Sequence, residues 1–167
     1  MLSSIHTLRD QQQKLRELVA ERFAIDHADL REALFFRTSR HRISLGRMSE
    51  LPIESMDDTV LRGPWSHNAT ILKQLTKPAV HLLRQKSNAN IINLNLRQVD
   101  SFLGHVAITV EVSDTTITPG CVIVEHRSTV LGIGWLDLFR QIKWYTSDSG
   151  ASCFREEHGR NHSIQFH

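Results

Sequence analysis

The most constraining feature of this sequence is a change in the spacing of its apolar residues part-way along the chain. Over 7–24 and 69–86, apolar side chains recur every three or four residues, which is the spacing of one face of a helix. Over 91–99 and 103–112 they alternate with polar residues, which is typical of half-buried strands. The short connections between these strands favour antiparallel pairing. We therefore predict an α+β fold. Its N-terminal half is helical, and its C-terminal half is a mostly antiparallel sheet of four or five strands with one helix packed across it.

Three helices are predicted in the first half of the chain. The first spans 7–24, with Thr7 as its cap. A second begins at Asp26, and together the two superficially resemble a helix-turn-helix. The apolar stripe of this second helix consists of Leu30, Ala33 and Leu34. The third spans 69–86 and is interrupted at Pro78, because proline removes a backbone donor.

The second half adds a central strand and one more helix. Residues 121–125 are apolar on both faces, which favours a strand that is covered on both sides. A helix is predicted after Gly134, ending near Thr146, because four apolar residues fall on one face. These residues are Trp135, Leu138, Phe139 and Ile142. The predicted core comprises Leu18, Phe23, Leu34, Leu72, Leu75, Ile92, Leu94, Val106, Ile108, Val122, Val124, Leu138, Phe139 and Ile142.

Length and composition favour one domain over residues 1–167. Apolar residues make up 40% of the chain and charged residues 23%, which is usual for globular proteins. No apolar run approaches the roughly 20 residues that span a bilayer, and the N-terminus lacks the apolar core of a secretory signal. The two cysteines form no C-x-x-C pair. We expect a cytoplasmic, reducing location, with 7–24 as a candidate docking arm and 151–167 as a mobile tail.

The basic residues are mostly arginine, and one segment concentrates them. The net charge of +2 is too balanced for a protein that grips nucleic acid with its whole surface. Residues 37–47, however, contain four arginines that are candidate phosphate contacts, namely Arg37, Arg40, Arg42 and Arg47. Ile43 and Leu45 alternate with polar residues there, so the segment also fits a solvated edge strand that is protected by its charges.

Residues 99–150 contain a pattern of strand, turn, strand, glycine pair and helix. Phe102-Leu103-Gly104-His105-Val106-Ala107-Ile108 would be the first strand and 121–125 the second. Leu131-Gly132-Ile133-Gly134 would be the loop before the helix. This segment resembles the central part of the GNAT-type N-acetyltransferases. The resemblance implies that Gly132 and Gly134 bind the pyrophosphate of acetyl-CoA. It also implies that Glu125 or His126 deprotonates an amine.

Other residues with metal-ligating or nucleophilic chemistry form no complete set. His158 and His162 have the spacing of two ligands on one helical face, but Gly159 and Asn161 disfavour a helix between them. We therefore predict no metal, and no cofactor unless the acyltransferase hypothesis with acetyl-CoA holds. Cys121 lies in an apolar strand and fits a small core residue.

Three functional hypotheses follow. The first is a non-catalytic binding or regulatory module whose ligand is the phosphate backbone of a nucleic acid or a protein partner. The second is a small GNAT-like acyltransferase. The third is a structural or assembly protein that forms homo-oligomers through the 7–24 helix or through a sheet edge.

Overall fold

The computed structural model describes residues 2–39, 42–47, 49 and 69–145 of the chain. Within these residues, three α-helices and one 3-10 helix accompany two β-sheets, which confirms a mixed α and β fold. The helices are α1 (Leu2–Phe23), a 3-10 helix (Ala69–Gln74), α2 (Lys77–Arg84) and α3 (Leu96–Leu103). The strands are β1 (Ala33–Ser39), β2 (Arg42–Arg47), β3 (Ile91–Asn93), β4 (Ile108–Thr109), β5 (Gly120–His126), β6 (Thr129–Leu136) and β7 (Gln141–Tyr145). The predicted tail 151–167 lies outside the described residues.

Helix α1 confirms the first predicted helix, although it begins at Leu2 and not after Thr7. Its apolar face is covered within the chain itself, since Leu15, Val19 and Phe23 are all buried. Self-association through these residues would therefore require the helix to detach from its own core. The homo-oligomer stays a prediction.

The helix predicted from Asp26 is wrong, because the chain forms a turn there and then a strand. The Asp26 carboxylate accepts a hydrogen bond from the Ala28 N–H, and the Asp29 N–H donates to the Asp26 carbonyl. The backbone bonds that follow also span three residues, from Leu30 to His27 and from Arg31 to Ala28, so the segment is a series of turns and not an α-helix. The stripe that includes Leu30 and Leu34 is buried, but it spans the turn and the start of β1.

Strands β1 and β2 form an antiparallel hairpin whose outer edge is closed by α1. The Gln12 side-chain amide donates to the Phe35 carbonyl at 2.7 Å, and its oxygen accepts from the Phe35 N–H at 3.0 Å. One helical turn later, the Arg16 guanidinium donates to the Ala33 carbonyl at 2.7 and 3.0 Å. Two side chains of one helix thus satisfy backbone groups that would otherwise need another strand.

The second sheet has the order β3-β5-β6-β7-β4, with a parallel β3–β5 pair and antiparallel pairs elsewhere. The predicted antiparallel sheet is therefore matched in part. The predicted strand 91–99 ends at Asn93, because Asn95 and Gln98 form a reciprocal capping box that starts α3. The predicted strand 103–112 is reduced to Ile108–Thr109.

The helix predicted after Gly134 is also wrong. Residues 129–136 are a strand paired with β5, and β7 returns antiparallel after a tight turn. Leu138 and Phe139, which were predicted to be in the core, lie on that turn and are 81% and 82% exposed. Val106 is likewise exposed, at 58%, since it follows the end of α3 and precedes β4.

Strand β5 separates two apolar clusters, as its two apolar faces predicted. Cys121 and Ile123 contact the cluster that holds α1, the hairpin and α2. Val122 and Val124 contact the cluster that holds α3. Helices therefore cover both faces of the second sheet, and not one face as predicted.

Candidate functional site

The arginine-rich segment lies on the β1–β2 hairpin, but its arginines do not share one face. Arg37 lies directly opposite Ile43, so it shares a face with Ile43 and with Arg47. Arg42 lies on the other face, because side chains alternate along a strand. Arg40 lies outside the described residues. The four arginines therefore cannot act as a single strip, and their phosphate contacts stay a prediction.

Arg37 is buried against the 3-10 helix. Its guanidinium donates to the Gln74 side-chain oxygen at 3.3 Å, and burial lowers the pKa of this arginine. This contact brings the hairpin next to Lys73, the neighbour of Gln74 in sequence.

A second contact joins β2 to the residue that caps α2. The Thr76 N–H donates to the Ile43 carbonyl at 2.8 Å, and the Thr76 and Ser44 hydroxyls lie 3.3 Å apart. Arg42 immediately precedes Ile43, and Lys77 immediately follows Thr76. The Ile43–Leu75 bridge is parallel, so Arg42 precedes this contact on the side of Lys73 and Gln74, whereas Lys77 follows it.

Helix α2 extends this positive charge along one side. Lys77, His81 and Arg84 occupy positions i, i+4 and i+7, which lie on one side of a helix. Lys77 and His81 are exposed, whereas Ala79, Val80 and Leu83 on another side are buried. We call Arg42, Lys73, Lys77 and His81 the basic cluster.

Lys73 connects the basic cluster with an aromatic side chain. Its Nζ atom lies 4.1 Å from the centroid of the Trp135 ring, which is a cation–π distance. Trp135 is half-buried on β6, where it packs against the first apolar cluster. One face of the Trp135 ring is therefore next to a cation.

Lys73, Lys77 and His81 were not among the predicted site residues, although the sequence carries a signal for them. Residues 59–99 contain six lysines and arginines and no aspartate or glutamate. Residues 33–49, which include the arginine-rich segment, also contain no acidic residue. Runs without acidic residues identify positive surfaces that a balanced total charge conceals.

The candidate catalytic base Glu125 is engaged in an ion pair. Its carboxylate accepts from the Arg84 Nε at 2.6 Å and from the Arg84 Nη2 at 3.1 Å. This hydrogen bond raises the pKa of Arg84. The neighbouring His126 places its Nδ1 2.6 Å from the Leu94 carbonyl oxygen.

The two glycines of the acyltransferase resemblance lie inside β6. Gly132 pairs with Val124 and Gly134 with Val122 in the centre of the sheet. The helix that should follow them is not formed, so no helix N-terminus faces a pyrophosphate there.

Cys121 is buried and its thiol is protonated at neutral pH. Burial raises the pKa of this thiol to about 12 from its ordinary value of 9.0. Because the thiolate is the nucleophilic form, Cys121 is an inert core residue. This agrees with its predicted role. Cys153 lies outside the described residues.

The buried thiol predicts a loss of stability at high pH. In the unfolded chain the thiol releases its proton near pH 9, whereas the folded chain retains it up to about pH 12. The unfolded state therefore gains stability in this window, and the free energy of unfolding falls by up to about 1.4 kcal/mol per pH unit. Urea unfolding from pH 8 to pH 11 should show the stability of the natural chain falling faster than that of Cys121→Ala. Parallel curves would contradict this prediction.

A cavity of about 470 Å³ opens beside Trp135, at the turn between β6 and β7. Its lining includes Arg22, Cys121, Trp135, Leu136, Leu138 and Phe139. The two residues that sequence analysis placed in the core, Leu138 and Phe139, thus stand at a surface cavity.

Within residues 2–39, 42–47, 49 and 69–145, no group of three or more His, Cys, Asp or Glu side chains could hold a metal ion. The weak metal candidates His158 and His162 lie beyond these ranges. None of the described helices is long and apolar enough to cross a membrane.

Comparison with known proteins adds no relative to this geometry. No protein-family model, curated protein or solved structure matches the chain. The resemblance to GNAT-type N-acetyltransferases therefore stays a prediction from sequence.

Proposed function

We propose that this protein is a non-catalytic module that binds the phosphate backbone of nucleic acid through the basic cluster. The observation that carries the proposal is the contact between β2, which carries Arg42, and the segment that carries Lys73 and Lys77. The parallel Ile43–Leu75 bridge and the hydrogen bond from Thr76 to Ile43 hold these distant parts of the chain together.

The charges of this region suit a polyanion. Arginine binds phosphate through charge-assisted hydrogen bonds, and lysine acts as a point charge. His81 lies one helical turn beyond Lys77 on the same side of α2. The segments that build the region, 33–49 and 59–99, contribute no carboxylate that would repel the ligand.

The chemistry of the described residues also favours binding over catalysis. Glu125 has both carboxylate oxygens bonded to Arg84, and the Cys121 thiol is buried and protonated. A general base or nucleophile must reach a substrate proton or carbon, and these groups are engaged or covered.

Reversing two charges of the basic cluster should weaken nucleic-acid binding strongly. We expect the natural chain to bind a fluorescein-labelled single-stranded oligonucleotide with an affinity that falls steeply with salt. Each phosphate contact contributes about −0.7 to the slope of log K against log salt concentration. Arg42→Glu together with Lys77→Glu should reduce affinity at least about tenfold and make this slope shallower by about 1.4. Fluorescence anisotropy over a salt series measures both quantities.

A matched control separates a local contact from total charge. Arg9→Glu together with Lys14→Glu changes the net charge by the same amount on exposed positions of α1. This control should bind like the natural chain. Equal losses in both double variants, or binding that does not respond to salt, would overturn the proposal and favour a protein partner.

A further inference from the structure

The turn between β6 and β7 presents two large apolar side chains on a rigid frame. The Asp137 carboxylate accepts from the Phe139 N–H at 2.8 Å and from the Gln141 N–H at 2.9 Å. The Asp137 N–H also donates to the Gln141 carbonyl. Leu138 and Phe139 are therefore held in water at 81% and 82% exposure by a turn that is already ordered. Ordering that precedes binding reduces the entropy lost when a ligand arrives.

Arg22, which lines the cavity behind this turn, already has hydrogen-bond partners within the protein. The Arg22 guanidinium donates to the Cys121 carbonyl and to the carbonyl and hydroxyl of Thr118. Gly120 has a φ of +123°, and a Cβ atom there would lie 3.2 Å from the Arg22 guanidinium carbon. The missing side chain at Gly120 thus lets the planar guanidinium lie close against the backbone.

The charges around the cavity favour a ligand that carries negative charge. Lys73 lies over the ring of Trp135, which lines the cavity, so one cation of the basic cluster adjoins this wall. Arg22 adds a second cation to the lining. Asp137 is the one acid among the described lining residues, and its carboxylate accepts hydrogen bonds from the N–H groups of the turn. A purely apolar ligand would match Leu138 and Phe139 but would gain nothing from the adjacent cations.

We propose that this cavity receives an unpaired base of a single-stranded nucleic acid whose phosphates lie on the basic cluster. The inference rests on the function proposed above. Bases stack on aromatic side chains and on arginine planes, and Phe139, Trp135 and Arg22 all line the cavity. A base within a duplex is already stacked and paired, so the cavity selects single strands.

The test compares an intact strand with the same strand carrying abasic sites. The intact strand contains 2-aminopurine, whose fluorescence falls when it stacks. Phe139→Ala should weaken binding of the intact strand about 5-fold to 100-fold and reduce the quenching, because stacking on one aromatic ring is lost. The same variant should bind the abasic strand like the natural chain. Leu96→Ala removes another exposed apolar side chain, on α3, and should change neither strand.

The outcomes separate this inference from the proposed function. If Phe139→Ala binds the intact strand as tightly as the natural chain, the base site is wrong and phosphate binding stands. The exposed turn would then be assigned to a protein partner. If the natural chain binds no strand in a salt-dependent manner, both the base site and the phosphate-binding function are wrong.

Discussion

Replacing Gln12 by Leu is expected to lower the free energy of unfolding by about 2–6 kcal/mol. The Gln12 side chain is buried and satisfies both the N–H and the carbonyl of Phe35. Leucine fills a similar volume but offers no donor or acceptor. Two backbone groups would then be buried without partners, at about 1–3 kcal/mol each. Urea unfolding followed by circular dichroism measures the loss.

The neighbouring residue provides the control for this substitution. Gln13 is exposed, and its amide bonds only to Glu17 on the same helix among the described contacts. Gln13→Leu introduces the same side chain one position away and should change the free energy of unfolding by less than about 0.5 kcal/mol. Similar losses for both variants would mean that the closing of the β1 edge by α1 does not stabilise the fold.

Removing Arg84 is expected to lower the free energy of unfolding by about 3 kcal/mol. The Glu125 side chain is 6% exposed, so Arg84→Met leaves a carboxylate that is buried without its partner. Breaking a buried ion pair costs about 3–5 kcal/mol. Because the Arg84 side chain is 30% exposed and its ion pair is partly screened by water, we expect a loss at the lower end of this range. Thermal and urea unfolding at neutral pH measure the effect.

Two further variants show whether burial is the cause. Arg84→Met combined with Glu125→Leu removes the orphaned charge and should recover most of the lost stability. Lys86→Met breaks an exposed ion pair, in which the side chains of Lys86 and Asp29 are 57% and 38% exposed. This substitution should lower the free energy of unfolding by less than about 1 kcal/mol. A double variant as unstable as Arg84→Met would contradict the argument.

The elements that could be predicted from the sequence are those whose signal is local and long. Helix α1 repeats its apolar spacing over many turns, and Pro78 marks the restart of α2 after a break. Residues 121–125 are apolar on both faces, and β5 does lie between two apolar clusters, as this pattern predicted.

The wrong predictions fell where a short pattern fits more than one structure. Trp135, Leu138 and Phe139 have helical spacing, yet pairing with β5 makes the first part a strand, and Asp137 makes the rest a turn. The strand predicted through Leu96 was overridden by a capping box at Asn95. The spacing of apolar residues within a short segment does not show which distant strand the segment pairs with. A helix cap is also hard to recognise where polar and apolar residues alternate as in a strand.

The candidate site divides in the same way. The sequence by itself determined that ten of the 20 lysines and arginines lie in two runs without acidic residues, 33–49 and 59–99. Only the tertiary structure decided which of these charges meet. It placed Arg37 and Arg42 on opposite faces of the hairpin, and it joined the strand that carries Arg42 to the segment that carries Lys73 and Lys77. The number of charges in a segment can be counted from the sequence, whereas a binding surface depends on the distances between charged side chains in the folded protein. Those distances arise from packing between elements that are remote along the chain.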